Sequence, residues 1–299
     1  MAKRLEGKVA VVAGATRGAG RGIACGLGEQ GAIVYCTGRS VRGQLASGDK
    51  RPETIEETAE KVTALGGVGI PVRVDHTIED EVKALFKRVK KEQGRLDVLV
   101  NDIWGGDALT EWGKSFWNMS LEKGFLMMDR AIRAHIITSR WGLPLMIPRK
   151  QGLVVEITDG KARYYRGSFF YDLCKDTAIR LAWMMSQELK RKGITAVALT
   201  PGFLRSEYML DHFGVTEANW RDAARKDPLF AHSETPLFIG RAVAALAADP
   251  DVSSRNGQAL ATWDLYKEYG FTDADGTQPD IWPHLQEHLK KMDLEEMAS

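Results

Sequence analysis

Short apolar runs alternate with longer helical patterns along most of the chain, and this rhythm constrains the fold more than any other feature. Val9-Ala10-Val11-Val12-Ala13 reads as a buried strand, followed by glycines and a helix to about residue 30. Ala32-Ile33-Val34-Tyr35-Cys36-Thr37 reads as a second strand, with a helix expected over 53–65. Residues 68–74 form a third, before a charged helix over 79–93. Asp97-Val98-Leu99-Val100-Asn101, Leu153-Val154-Val155-Glu156-Ile157 and Ile194-Thr195-Ala196-Val197-Ala198-Leu199 are the fourth to sixth. Gly257-Gln258-Ala259-Leu260-Ala261-Thr262 is a short seventh. Apolar strands separated by helices indicate a mainly parallel sheet covered on both faces. With right-handed crossovers, that is a doubly wound, Rossmann-type α/β domain. It is expected to occupy residues 1–265, with a polar C-terminal extension over 266–299.

Composition narrows the function classes. Among 299 residues, 41 Lys+Arg balance 40 Asp+Glu, which argues against nucleic acid as a partner and against an acidic disordered chain. No run approaches the roughly 18 apolar residues that span a bilayer, and no apolar stretch follows the charged start as in a secretory signal. Cys25, Cys36 and Cys174 lack paired spacing, so no disulfide framework or zinc knuckle is indicated. A cytoplasmic protein without membrane partners is expected. Two stretches interrupt the rhythm: 103–128, rich in Trp, Met and Phe, and 203–233, a long insertion after the sixth strand. Both leave carboxyl ends of strands, where open α/β sheets bind ligands, and are expected as substrate loops.

Gly14-Ala15-Thr16-Arg17-Gly18-Ala19-Gly20-Arg21-Gly22 follows the first strand and opens the first helix. Glycines there let the backbone turn tightly and approach a phosphate, while the helix start offers free N–H groups and partial positive charge. Thr16, Arg17 and Ala19 belong to the same cradle. The literal G-x-G-x-x-G at Gly26, Gly28 and Gly31 ends a helix and precedes a strand, the wrong context for nucleotide binding. At the end of the second strand, an acid would hold a ribose 2′-hydroxyl and an arginine would accept a 2′-phosphate. The sequence has Thr37-Gly38-Arg39-Ser40, with no carboxylate until Asp49. NADP(H) is therefore the expected cofactor, with Arg17 and Arg42 as possible reinforcement.

At this point the residues resemble the short-chain dehydrogenase/reductase family over nearly the whole chain. Gly14-x3-Gly18-x-Gly20, Asp75 after the third strand, Asp97 to Asn101, Tyr171-x3-Lys175 and Pro201-Gly202 occur in the family's order and spacing. Leu145-Met146-Ile147-Pro148, before the fifth strand, adds a likeness to one branch in particular. The resemblance implies that Asp75 contacts the adenine and that Asn101 holds the turn beside the adenosine ribose. It further implies that Pro201-Gly202 borders the nicotinamide and that Ser206 meets the cofactor. Lys175 would bind the nicotinamide ribose, and dimers or tetramers would form through the helices before the fifth and sixth strands.

Tyr171 and Lys175 also stand on their own physics. A gap of four puts them on one helix face. A phenol with pKa near 10 is a poor base, but a cation about 4 Å away could favour its anion by up to about 4 kcal/mol. That would bring Tyr171 toward the range where it exchanges protons. The family's serine before the tyrosine is absent: the strand ends Ile157-Thr158-Asp159-Gly160. Thr158 is the hydroxyl expected to orient the substrate oxygen. Asp159, which as a carboxylate cannot donate a hydrogen bond, has three readings: protonated by burial, gripping a substrate amine or hydroxyl, or turned away toward Lys161 or Arg163. The usual Asn-Asn-Ala-Gly is here Asn101-Asp102-Ile103-Trp104, and the family's helical asparagine aligns with Ala131, which puts its proton relay in doubt.

The expected activity is NADP(H)-dependent hydride transfer between nicotinamide and a small carbonyl or alcohol substrate, of the carbonyl-reductase type, with Tyr171 exchanging the proton. A non-catalytic NADP(H)-binding module and a dehydratase or epimerase on the same scaffold are the alternatives. His284-Leu285-Gln286-Glu287-His288 spells a metalloprotease-like H-x-x-E-H, but it lies in a charged tail without a companion ligand, so no metal is expected.

Overall fold

Each apolar run is a strand: β1 (Val9–Ala13), β2 (Ile33–Gly38), β3 (Val68–Arg73), β4 (Val98–Asn101), β5 (Gly152–Ile157), β6 (Ile194–Thr200) and β7 (Ala259–Ala261). The helices are α1 (Gly18–Glu29), α2 (Ile55–Ala64), α3 (Glu79–Gln93), α4 (Leu121–Met128), α5 (Ala134–Gly142), α6 (Phe169–Leu189), α7 (Glu207–Phe213), α8 (Pro236–Ala248) and α9 (Thr262–Tyr269). A π-helical turn, Asp129–Arg133, joins α4 to α5. This is a computed structural model, and it describes residues 3–46, 51–161, 164–288 and 290. The seven strands form one sheet in the order β3-β2-β1-β4-β5-β6-β7, and every pairing is parallel. Strand order reverses between β1 and β4, and such a switch point opens a crevice at the carboxyl ends.

Alternate side chains leave opposite faces of each strand, so β1 feeds two cores. Ala10 and Val12 join Ile23 and Leu27 of α1 and Ile239 and Val243 of α8, while Val9 and Val11 join Leu85 and Phe86 of α3. Helices α1 and α8 meet backbone to backbone. A Cβ on Gly22 would stand 1.7 Å from the Pro236 carbonyl oxygen, and one on Gly26 2.3 Å from the Gly240 carbonyl carbon. This explains the misplaced G-x-G-x-x-G: Gly26 packs on α8, Gly28 packs on Val62 of α2, and Gly31 turns the chain with φ +85°.

Beyond α9 the chain returns to the body of the domain. Thr235 N–H donates to Asp273 Oδ2 at 2.8 Å, and Arg241 Nη1 donates to the carbonyls of Thr272 and Asp273 at 2.8 and 2.9 Å. A helical segment follows over 282–288. Its Trp282 stacks on Trp263 with ring centres 5.6 Å apart, and His284 stacks on His232 at 3.5 Å.

Candidate active site

A cleft of about 570 Å³ lies over the carboxyl ends of the strands, where the two interrupting stretches also converge. Its floor is the turn after β1. Gly14 has φ +95°, and a Cβ there would meet the Asp102 carbonyl oxygen at 2.3 Å, so both conformation and space require glycine. Thr16, Arg17, Gly18 and Ala19 line the cleft. Gly18 N–H donates to Glu207 Oε2 at 2.8 Å, so the start of α1 holds an anion. Gly20 does not line it. A Cβ on Gly20 would lie 2.3 Å from the Gly14 oxygen and 2.8 Å from Asp102 Oδ2, which makes it a packing glycine.

Arg39 and Asp75 stand at one end, 3.9 Å apart. The Asp75 carboxyl accepts from Thr77 N–H at 3.0 Å and Thr77 O–H at 2.7 Å; against its burial, these bonds and Arg39 hold its pKa below the ordinary value. Arg130, from the π-helical turn, joins them and donates from Nη1 to the Gly105 carbonyl at 2.7 Å. A Cβ on Gly105 would lie 3.5 Å from Arg130 Nη1 and 3.6 Å from Arg39 Nη2, so two guanidiniums converge there. Burial, then the neighbouring Arg39 charge, lowers the pKa of Arg130. Sequence reasoning missed Arg130, because nothing local reveals how the π turn rotates it. Arg17 lies 3.3 Å from Glu53. Arg42 is turned outward onto Glu60 at 2.6 Å and does not line the cleft, which corrects its expected role. Asp49 lies outside the described residues. The glycine turn, the helix start and the paired arginines suit the phosphates of a dinucleotide.

At the other end, Tyr171 O–H donates to Asp159 Oδ2 at 2.6 Å. Lys175 Nζ lies 4.0 Å from the centre of the Trp104 ring and 5.5 Å from that of Tyr171. Burial and then the Asp159 charge raise the Tyr171 pKa well above its ordinary value, the reverse of the lowering expected from Lys175. The reason is geometric: the carboxylate touches the phenol, and the cation sits over an indole. Thr158 O–H donates to the Lys175 carbonyl at 2.6 Å, so its proton is directed into α6 rather than toward a substrate oxygen. Asp159 is not turned toward Lys161, which instead pairs with Asp264; Arg163 lies outside the described residues. Arg166 backs the pair, donating from Nε to the Asp159 carbonyl at 2.5 Å and from Nη1 to Asp172 at 2.6 Å.

Beneath the cleft lies a network that sequence reasoning left without partners. Fully buried Glu156 accepts from Asn101 Nδ2 at 2.6 Å and meets His135 Nδ1 at 2.6 Å. Burial disfavours the imidazolium, but the Glu156 charge outweighs it and raises the His135 pKa. Asn101 therefore sits under the cleft at the end of β4, bonded also to Ser139 at 2.9 Å, and does not itself line it. A glutamate inside an apolar strand was the available signal, since buried charges come with partners. Asp102 occupies the wall above, where burial pushes its carboxyl up to about 7 against Lys175 and the Gly20 N–H. Ala131 is buried in the π turn.

Pro201, Gly202 and Ser206 line the cleft, and Ser206 also caps α7 by accepting from Met209 N–H at 3.3 Å. The stretch 203–233 contributes Phe203, Met209 and Leu229 to the lining. From 103–128 come Ile103, Trp104, Gly105 and Asp107, while Phe116 and Trp117 are exposed.

The pattern described as short chain dehydrogenase matches residues 8–213. Human dehydrogenase/reductase SDR family member 1 is 36% identical over 281 residues, covering 92% of this chain and 86% of its own length; the mouse protein is 37% identical over the same span. That is the branch to which Leu145-Met146-Ile147-Pro148 pointed. A crystal structure of a short chain dehydrogenase from Mycobacterium thermoresistibile superposes with a TM-score of 0.75 at 23% identity, covering 93% of this chain and 95% of that one. Among the described residues, no helix is long and apolar enough to cross a membrane. The chain belongs to the short-chain dehydrogenase/reductase family, oxidoreductases that transfer hydride between a nicotinamide cofactor and a small molecule.

Proposed function

We propose that the protein is an NADP(H)-dependent oxidoreductase that interconverts a carbonyl compound and its alcohol, as a carbonyl reductase. The observation that carries this reading is a cleft with Tyr171, Asp159 and Lys175 at one end and Arg39 with Arg130 at the other. Two convergent cations are well suited to a 2′-phosphate and have no comparable partner on a bare ribose. Thr16, Arg17, Gly18 and Ala19 would hold the pyrophosphate, Asp75 the adenine end, and Pro201, Gly202, Ser206 and Lys175 the nicotinamide end. Glu207 must give up its bond to Gly18 when phosphate binds. When bound, the nicotinamide group supplies or accepts the hydride.

Tyr171 acts as the acid. Burial and Asp159 keep the phenol protonated, and its proton reaches a carbonyl oxygen when the O–H turns from Asp159 to the substrate as charge develops there. Lys175 offsets the negative charge left on the phenol. Asp159 cannot donate to that oxygen; it orients Tyr171 and can accept from a substrate O–H or N–H. Acid–base chemistry without net oxidation is a second reading, favoured by the direct Tyr171–Asp159 bond; such turnover would leave nicotinamide absorbance unchanged.

The test follows NADPH oxidation across ketones, aldehydes and quinones, with NADPH binding measured separately. Tyr171→Phe is expected to lower kcat by about 10²–10⁴ while leaving NADPH binding within about threefold. Unchanged turnover in that variant would remove Tyr171 as the proton donor.

A further inference from the structure

The family pattern ends at residue 213, yet the cleft is completed by residues far beyond it. Trp263, Ile281 and Leu285 line its wall beside Phe203 and Leu229. Ile281 is 6% exposed, and its Cγ2 would lie 3.1 Å from a Cβ on Gly202, so the tail rests on the Pro201-Gly202 corner. The segment is tied down at several points. Lys267 pairs with Asp280 at 2.7 Å, Trp282 stacks on Trp263, and His284 stacks on His232. Lys161, two residues after Asp159, pairs with Asp264 and lies 5.9 and 5.8 Å from the Trp263 and Trp282 ring centres. The Lys161 charge is thus already matched, and Trp263, Ile281, Leu285, Phe203 and Leu229 present apolar side chains to the cleft.

Resting on the hydride-transfer reading above, we propose that the C-terminal extension forms the substrate wall, with Ile281 and Leu285 selecting a carbonyl compound that carries a bulky, uncharged apolar body. The body lies against Ile281, Leu285 and Leu229, and the carbonyl points toward Tyr171. Shortening either aliphatic side chain removes contact with a large body and leaves a small one unaffected.

The experiment uses the full chain with NADPH and two probes, a fused bicyclic ketone and cyclopentanone. Binding is read by tryptophan fluorescence and turnover by NADPH oxidation. Ile281→Ala and Leu285→Ala are expected to weaken bicyclic binding and lower its kcat/KM about five- to fiftyfold, with less than about twofold change for cyclopentanone. Leu285→Trp, which fills the cleft, is expected to exclude the bicyclic ketone and spare the small one. NADPH affinity and the unfolding midpoint identify any variant that has lost its fold, and the half-buried Leu285 provides the milder substitutions. Equal effects on both probes, unchanged bicyclic binding in the variants, or no bicyclic binding by the wild type would each overturn the proposal. If the wild type binds the bicyclic ketone without turnover and the variants lose that binding, the wall stands and the hydride-transfer reading falls.

Discussion

Asp102 shows how one side chain sets a pH dependence. Its carboxyl titrates near 7 in the folded protein, against about 4 in an unfolded chain. The folded state therefore binds the proton more tightly, and this residue's contribution to stability falls as pH rises from about 4 through 7. Asp102→Asn, which restores the family's usual residue, is expected to be more stable than wild type by about 1–3 kcal/mol at pH 8, with the gap narrowing toward pH 4. Urea denaturation across that range checks it, and a gap independent of pH would remove Asp102 as the cause. Arg39 and Arg130 give a second residue-scale expectation. Arg39→Ala should weaken NADPH binding about tenfold or more with little effect on NADH, and Arg130→Gln should act in the same direction by less; equal losses for both nucleotides in a titration would count against a 2′-phosphate site. Arg39 was legible because it directly follows the carboxyl end of an apolar strand. Arg130 was not, because only folding carries α4 and its π turn over Gly105.

At the scale of elements, glycines decide how closely helices approach. The Gly22, Gly26 and Gly240 contacts bring α1 and α8 together over one face of the sheet, which seats the start of α1 at the floor of the cleft. Gly22→Ala drives a methyl group into the Pro236 carbonyl and is expected to cost about 3 kcal/mol, lowering the unfolding midpoint and weakening NADPH binding together. An unchanged midpoint would show that α8 yields freely. Apart from the edge strand β3, the strands were legible because their apolar runs reflect burial on both faces, and the α3 range follows from its acidic start and the glycine after its end. The relation between β5 and α5 was not. Glu156 and His135 meet only because β5 lies beside β4 and α5 packs across them, a juxtaposition with no local signature.

For the whole molecule, an apolar face remains uncovered on α4 and α6. Leu121 and Phe125 are 60% and 58% exposed, and Leu173, Trp183 and Met184 are also exposed. Exposed large apolar side chains on neighbouring helices suit an interface, and we expect copies of the chain to pair through them. Light scattering should give a dimer or tetramer, and Leu121→Lys with Phe125→Lys should shift it to monomer without unfolding; a monomeric wild type would refute the expectation. By itself, the sequence determined the alternating strands and helices, the glycine turn at the first helix and the placement of Tyr171 and Lys175 on one helix face. Each of these depends on residues within a few positions of one another. Tertiary structure alone decided that Tyr171 bonds Asp159, that Thr158 turns to the α6 backbone, that Arg130 joins Arg39 and that the tail reaches Gly202. Those outcomes depend on distances between remote segments and on competition among partners, and only the packed chain sets either.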